Sequence, residues 1–209
     1  MADQRLTSQE RKDEIIQASL SILHHKGFSQ LTLRQLGKNI GVSEAAVYRH
    51  FRNKEEIIQQ LMTVVFQAPP GKTPKQDDSP SVMQRLREVM FAQLDILEKN
   101  PYITSVLFQD EIFREFPAIR EQFDQHRDEM SARIVNIVKQ GQRERVWRST
   151  VNPQVFVVLF TGSMRQMVST WRANNFSHSL SNLAEEVFTE LVRLLEPDKG
   201  IVEESNKLN

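Results

Sequence analysis

The sequence predicts an all-α protein of about nine helices arranged in two helical regions. Three observations carry this prediction. Apolar residues recur at spacings of three, four and seven along most of the chain. Capping residues and prolines stand where helices would open, and glycines where several would close. One stretch of 13 residues, Ala68 to Pro80, holds four prolines and almost nothing to bury, which marks a linker between a short first region and a longer second one.

Helix one opens at the capping box Thr7-Ser8-Gln9-Glu10, carries Ile16, Leu20 and Leu23 on one face, and closes at Gly27. A second capping box, Thr32-Leu33-Arg34-Gln35, opens a helix of about two turns that runs to Ile40 and stops at Gly41. Ser43 caps a third short helix through His50. Asn53, with Glu56 three residues on, caps a fourth that carries Ile57, Ile58, Leu61, Met62 and Val65.

Beyond the proline-rich stretch, Val82, Leu86, Val89, Met90 and Leu97 share a helix face, and Asn100-Pro101 starts another helix that Pro117 ends. Ile119, Phe123, Met130, Ile134, Ile137 and Val138 predict a long amphipathic helix ending near Gly141. Asn152-Pro153 starts the next, and Leu183, Val187, Phe188, Leu191, Val192 and Leu195 mark a last helix before Pro197. The boundaries expected are 1–67 for the first domain with its connecting helix, 68–80 for the linker, 81–197 for the second domain, and 198–209 for a polar tail.

Residues 155–160, VFVVLF, suit a strand by composition, but the proline start and the continuation through Met164, Met167, Val168 and Trp171 favour a helix apolar on most of its circumference. Such a helix needs more cover than a small domain offers. A bundle formed with a second copy across a twofold axis would supply it, the alternative being an ordinary core helix.

Lys+Arg and Asp+Glu both number 27, so bulk charge points to no class of partner, and evidence for one must be local. The chain has no cysteine, which excludes disulfides, thiolate metal sites and thiol catalysis. No window approaches the ~18 unbroken apolar residues of a membrane span, and the polar N-terminus has no signal-peptide character, so a soluble, cytoplasmic protein without membrane contact is expected. The five histidines lack carboxylates at ligand spacing, with His24 and His25 expected on different helix faces, so no metal or other cofactor is expected. Nucleophile-elbow, phosphate-loop and dinucleotide motifs are missing, and the neighbouring carboxylates Asp77-Asp78 and Asp110-Glu111 read as solvated charge; an enzyme is not expected.

Two short helices joined by Gly41-Val42-Ser43 have the length and turn glycine of a helix-turn-helix, although such pairs also occur in proteins that never touch DNA. Within the second helix, Val47 and Phe51 are four apart and can face inward, leaving Glu44, Ala45, Arg49 and His50 outside. Small residues at 45 and 46 permit close approach to base edges. Tyr48, Arg49, His50, Arg52 and Lys54 form a dense set of donors suited to phosphates, or else a solvated basic face.

Residues 5–66, with Gly27-Phe28 and LTLRQLGKNIGVSEAAVYRHFRNKEEII, resemble the N-terminal DNA-binding domain of the tetracycline-repressor (TetR) family. The resemblance implies an all-α homodimer: an N-terminal three-helix head with a helix-turn-helix, a connecting fourth helix, and a C-terminal helical ligand-binding and dimerisation domain whose last two helices pair with their copies. It implies double-stranded DNA as partner, phosphate contacts from Thr32, Tyr48, His50 and Lys54, and base or groove contacts from Arg34, Glu44, Ala45, Ala46 and Arg49. Glu44 is expected either to sit at the positive end of its helix or to accept from a cytosine amino group. Gly37 departs from the alanine common in the family, a cost of about 1 kcal/mol in helix propensity that puts no contact in doubt.

For the second domain the resemblance implies a small-molecule effector pocket, with Phe91, Tyr102, Phe108, Phe123, Phe160, Met164 and Met167 as its apolar walls. Asp110, Glu111, Arg165 and Gln166 are candidate polar groups there. Phe156, Trp171, Val187, Leu191 and Leu195 are the candidate dimer interface. Two functions fit: a transcriptional regulator, most simply a repressor released from a palindromic operator by the effector, or a chromosome-organising or division-linked protein whose second domain contacts a protein partner.

Overall fold

The computed structural model describes residues 6–66 and 80–197. The expected linker, apart from Pro80, and the expected tail lie outside the described residues, as does the side chain of Val65. Ten α-helices follow one another among the described residues, without a strand: α1 (Ser8–Lys26), α2 (Leu33–Asn39), α3 (Glu44–Tyr48), α4 (Lys54–Phe66), α5 (Val82–Lys99), α6 (Thr104–Leu107), α7 (Asp110–Glu115), α8 (Pro117–Arg143), α9 (Pro153–Ala173) and α10 (Leu180–Leu195).

The chain forms two compact units, Met1–Ala68 with Lys99–His126, and Pro69–Glu98 with Arg127–Asn209. In the first, the box at Thr7 forms as the sequence predicts: Glu10 N donates to Thr7 Oγ1 at 3.2 Å and Thr7 N to Glu10 Oε2 at 2.7 Å. At Gly27 the backbone turns with φ +81°, which glycine tolerates without a Cβ penalty. Ile15, Leu20, Ile22 and Leu23 bury the inner face of α1, whereas Ile16, expected on that face, is only half-buried. Against them lie Leu36, Val47, Ile57, Ile58, Leu61 and Met62, all fully buried.

One expected helix, from Pro101 to Pro117, is broken into a 3-10 turn at Pro101–Ile103 followed by α6 and α7. The chain leaves helical geometry at Gln109 (φ −108°, ψ +99°), whose side-chain amide donates at 3.2 Å to Leu23 O at the end of α1. Pro117 is then the first residue of α8, where its missing N–H costs nothing, so it opens a helix as well as closing one.

In the second unit, α5, the later part of α8, α9 and α10 enclose a core that includes Leu86, Met90, Ile134, Ile137, Phe156, Phe160, Trp171 and Leu195. The VFVVLF stretch is helical, started by Asn152 Oδ1 accepting from Gln154 N at 2.9 Å. At Gly141 the buried Trp147 ring packs where a side chain would stand: a Cβ there would run into the Trp147 ring at Cε3. Gly141 itself lies inside α8, which ends two residues later, near where the sequence places its end. Glu98 caps α10 from the end of α5, with Oε1 accepting from Ser179 Oγ and Leu180 N, both at 3.0 Å, and Oε2 from Ser181 Oγ at 2.5 Å.

Candidate nucleic-acid interface

The pair α2 and α3 is built by two caps and two glycines. Thr32 Oγ1 accepts from Gln35 N at 3.1 Å and Ser43 Oγ from Ala46 N at 3.2 Å, each satisfying an amide that its helix cannot. Gly41 takes φ +71° in the turn. Gly37, on α2, lies against that turn: its carbonyl accepts from Val42 N at 2.8 Å, and a Cβ on it would stand 2.8 Å from Val42 O. The glycine that looks like a propensity cost in the sequence is therefore what permits this approach.

Val47 and Phe51 are 0% and 3% exposed, and they seat α3 in the core. The remaining face turns outward: Glu44, Ala45, Tyr48 and Arg49 are exposed, while Ala46 and His50 are half-buried. Thr32 and Arg34, at the start of α2, are exposed as well. The cap of α3 is Ser43, so Glu44 is free of that duty, and its carboxylate makes no hydrogen bond or ion pair among the described residues.

Lys54 is placed differently from its neighbours. Its Nζ lies 3.3 Å from the centre of the Phe28 ring and 3.5 Å from Glu115 Oε1 on α7, with only 21% of the side chain exposed. Phe28 in turn meets Phe116 edge-on, ring centres 6.0 Å apart. A cation over an aromatic face gains roughly 0.5–2 kcal/mol. The lysine expected to grip phosphate is thus held inside its own unit. Arg52 is tied locally, since Glu56 Oε2 accepts from its backbone N–H at 2.7 Å and from its Nε at 3.3 Å. The bond from the Arg52 amide, more than the guanidinium, holds the Glu56 carboxyl below its usual range.

The residues expected around an effector are divided between the units. Tyr102, Phe108 and Phe123 belong to the first, where Tyr102 stacks on His24 at 4.3 Å and meets His25 edge-on at 5.5 Å, so both histidines reach one ring although they were expected on different faces. Phe91, Phe160, Met164 and Met167 belong to the second. There Phe91 lies under the Arg87 guanidinium at 4.0 Å, and Phe160 and Met167 are core residues, 0% and 4% exposed.

The residues expected at the dimer interface lie at different depths in the second unit. Phe156, Trp171 and Leu195 are 1%, 2% and 0% exposed and belong to the interior of the second unit, Leu191 is nearly enclosed, and only Val187 is half-exposed. The exposed apolar side chains of α9 are instead Val155, Val158 and Leu159, with Leu194 on α10. Two shallow grooves run there, of about 700 Å³ along Ser163, Val187, Leu191 and Leu194, and of about 440 Å³ along Val158, Leu159, Gly162 and Gln166. Periodicity could not separate the two faces, because α9 is apolar on both.

The helix-turn-helix and the helical second region both have counterparts among known proteins. Residues 15–61 match the family model described as bacterial regulatory proteins of the tetR family, and residues 79–195 match a tetracyclin repressor-like C-terminal domain. The chain is 26% identical over 170 residues to the nucleoid occlusion factor SlmA of Vibrio campbellii, covering 80% of this chain and 87% of that one. To SlmA of Vibrio cholerae it is 31% identical over 140 residues, 66% of this chain and 69% of that one. Among solved structures, the TetR family transcriptional regulator PfmR of Thermus thermophilus superposes with a TM-score of 0.72 at 21% identity, covering 93% of this chain and all of the other.

Proposed function

The chain belongs to the TetR family of bacterial DNA-binding regulators, and from that premise we propose that it binds a palindromic operator as a homodimer and represses transcription until a small, largely apolar effector releases it. The observation that carries this proposal is the outward face of α3. Val47 within the helix and Phe51 just past its end are buried, while Ala45, Tyr48 and Arg49 are exposed and His50 is half-buried beside them. In this arrangement Tyr48, His50 and Thr32 hold phosphates, Lys54 joins them on leaving Glu115, and Arg34, Glu44, Ala45, Ala46 and Arg49 meet the groove. Dimerisation uses Val155, Val158, Leu159 and Leu194, apolar groups that a monomer leaves in water. The effector's walls are drawn from the candidates of the second unit, Phe91, Phe160, Met164 and Met167.

A second reading rests on a different observation, the shared name of the relatives in the two Vibrio species, nucleoid occlusion factor. It has the same head binding many chromosomal sites while the second domain contacts a protein partner. The apolar grooves on α9 and α10 do not discriminate, since a second copy would cover them in either case. Recovery of the DNA bound in cells separates the readings: a few promoter sites support a repressor, and many dispersed sites the alternative. For phosphate contact itself, Tyr48→Phe and His50→Ala are each expected to weaken binding about equally across sequences; unchanged affinity would reject the assignment.

A further inference from the structure

We propose that Gly37 is a positioning residue that sets where the recognition helix stands and, through it, which bases the head prefers. This rests on α3 being the base-reading element. Gly37 is buried in the middle of α2, a seven-residue helix in which alanine would be the better former. The three atoms nearest to a side chain there would all be backbone: Val42 O at 2.8 Å, Glu44 N at 3.2 Å and Ser43 C at 3.2 Å. None of these atoms can swing aside as the end of a long side chain can. Ser43 is the cap of α3 and Glu44 its first residue, so two of the three crowded atoms belong to the start of the recognition helix and the nearest to the turn that leads into it.

A methyl group at 37 is accommodated only if α3 withdraws from α2 by several tenths of an ångström. The hydrogen bond from Val42 N to Gly37 O, 2.8 Å long, ties the same two segments and makes the withdrawal local to this junction. Hydrogen bonds to base edges weaken steeply over such distances, so a shift at Glu44, Ala45 and Ala46 alters which bases are accepted while phosphate contacts, which carry no sequence information, persist. Gly41 is the natural control. It also lies in the turn, but its φ of +71° demands conformational freedom, and no described atom lies within 4 Å of the space its Cβ would take. Substitution there strains the turn without pushing α3.

The test is selection of bound DNA from one random pool by the full-length wild type, Gly37→Ala and Gly41→Ala, with melting temperature measured for each. Gly37→Ala is expected to recover a sequence that differs from the wild type's within each half-site, and to bind the wild type's sequence about tenfold more weakly, the loss of one good base contact. Gly41→Ala is expected to melt lower yet recover the wild-type sequence. If Gly37→Ala recovers the wild-type sequence, the inference is overturned. Loss of all DNA binding by Gly37→Ala while the protein still sediments as a dimer would also overturn it, because the glycine would then serve folding only. A wild type that selects no sequence sinks the proposed function instead, a result visible before any variant is compared.

Discussion

Lys54 on α4 is shared between two partners, the Phe28 ring at 3.3 Å and the Glu115 carboxylate at 3.5 Å, 61 residues away in the chain. A phosphate that recruits Lys54 must therefore displace Glu115. Half-exposed pairs of this kind are worth about 0.2–1 kcal/mol. Glu115→Gln is expected to raise DNA affinity by roughly 1.4- to 5-fold at low salt. In a Lys54→Ala background the same change should do nothing, and an equal gain there would show that Glu115 acts on DNA by general repulsion.

Val158 on α9 is 68% exposed in a single chain. Val158→Asp should leave the fold of the second unit intact, because nothing inside that unit depends on the side chain. Across a twofold axis it would bury a carboxylate at cost. Sedimentation at micromolar concentration is expected to give a dimer for the wild type and a monomer for the variant; a variant that remains dimeric would move the interface elsewhere.

Glu98 makes stability depend on acid. Burial alone would raise its carboxyl, but the bonds from Ser181, Ser179 and the Leu180 and Ser181 amides outweigh that and hold it below the usual range. A depressed carboxyl contributes stability that is fully present above its unfolded pKa and is lost as pH falls through the folded one. Glu98→Ala leaves the Ser179 cap in place but removes the acceptor shared by Leu180 N and the Ser179 and Ser181 hydroxyls, a loss of about 1 kcal/mol that in a chain of this size lowers the melting temperature by roughly 2–4 °C at neutral pH. The difference from wild type should shrink as pH falls below the usual carboxylate range; a constant difference would mean that the carboxylate form contributes nothing.

Glu44 stands free at the first position of α3, with Ser43 already capping the helix. If it accepts from a cytosine amino group, Glu44→Gln should change the base tolerated at one position of each half-site and leave melting temperature nearly unaltered. An unchanged sequence preference with a lowered melting temperature would assign it to the helix end.

Local signals were legible and long-range ones were not. The box at Thr7 and Glu10, the caps at Thr32, Ser43 and Asn152, and the inward seating of Val47 and Phe51 follow from residue type and spacing within one turn. The break at Gln109 did not announce itself, because what its side chain bonds is a carbonyl 86 residues earlier. Likewise, nothing near Lys54 in the sequence points to Glu115. On α9, period 3.6 identifies a helix apolar on both sides but cannot say that Phe156 and Trp171 face the core while Val155 and Val158 face water. The importance of Gly37 needed the position of a backbone oxygen, which no propensity scale contains.

Repression from a palindromic operator requires that α3 read DNA in a symmetric pair. Selection from a random duplex pool by the full-length protein tests this in one step. The expected product is an inverted repeat whose half-site centres lie about 10–10.5 base pairs apart, or a multiple of that spacing where the DNA is distorted or two dimers bind. A pool left unenriched, or enriched in a single asymmetric site without a repeat, would contradict it.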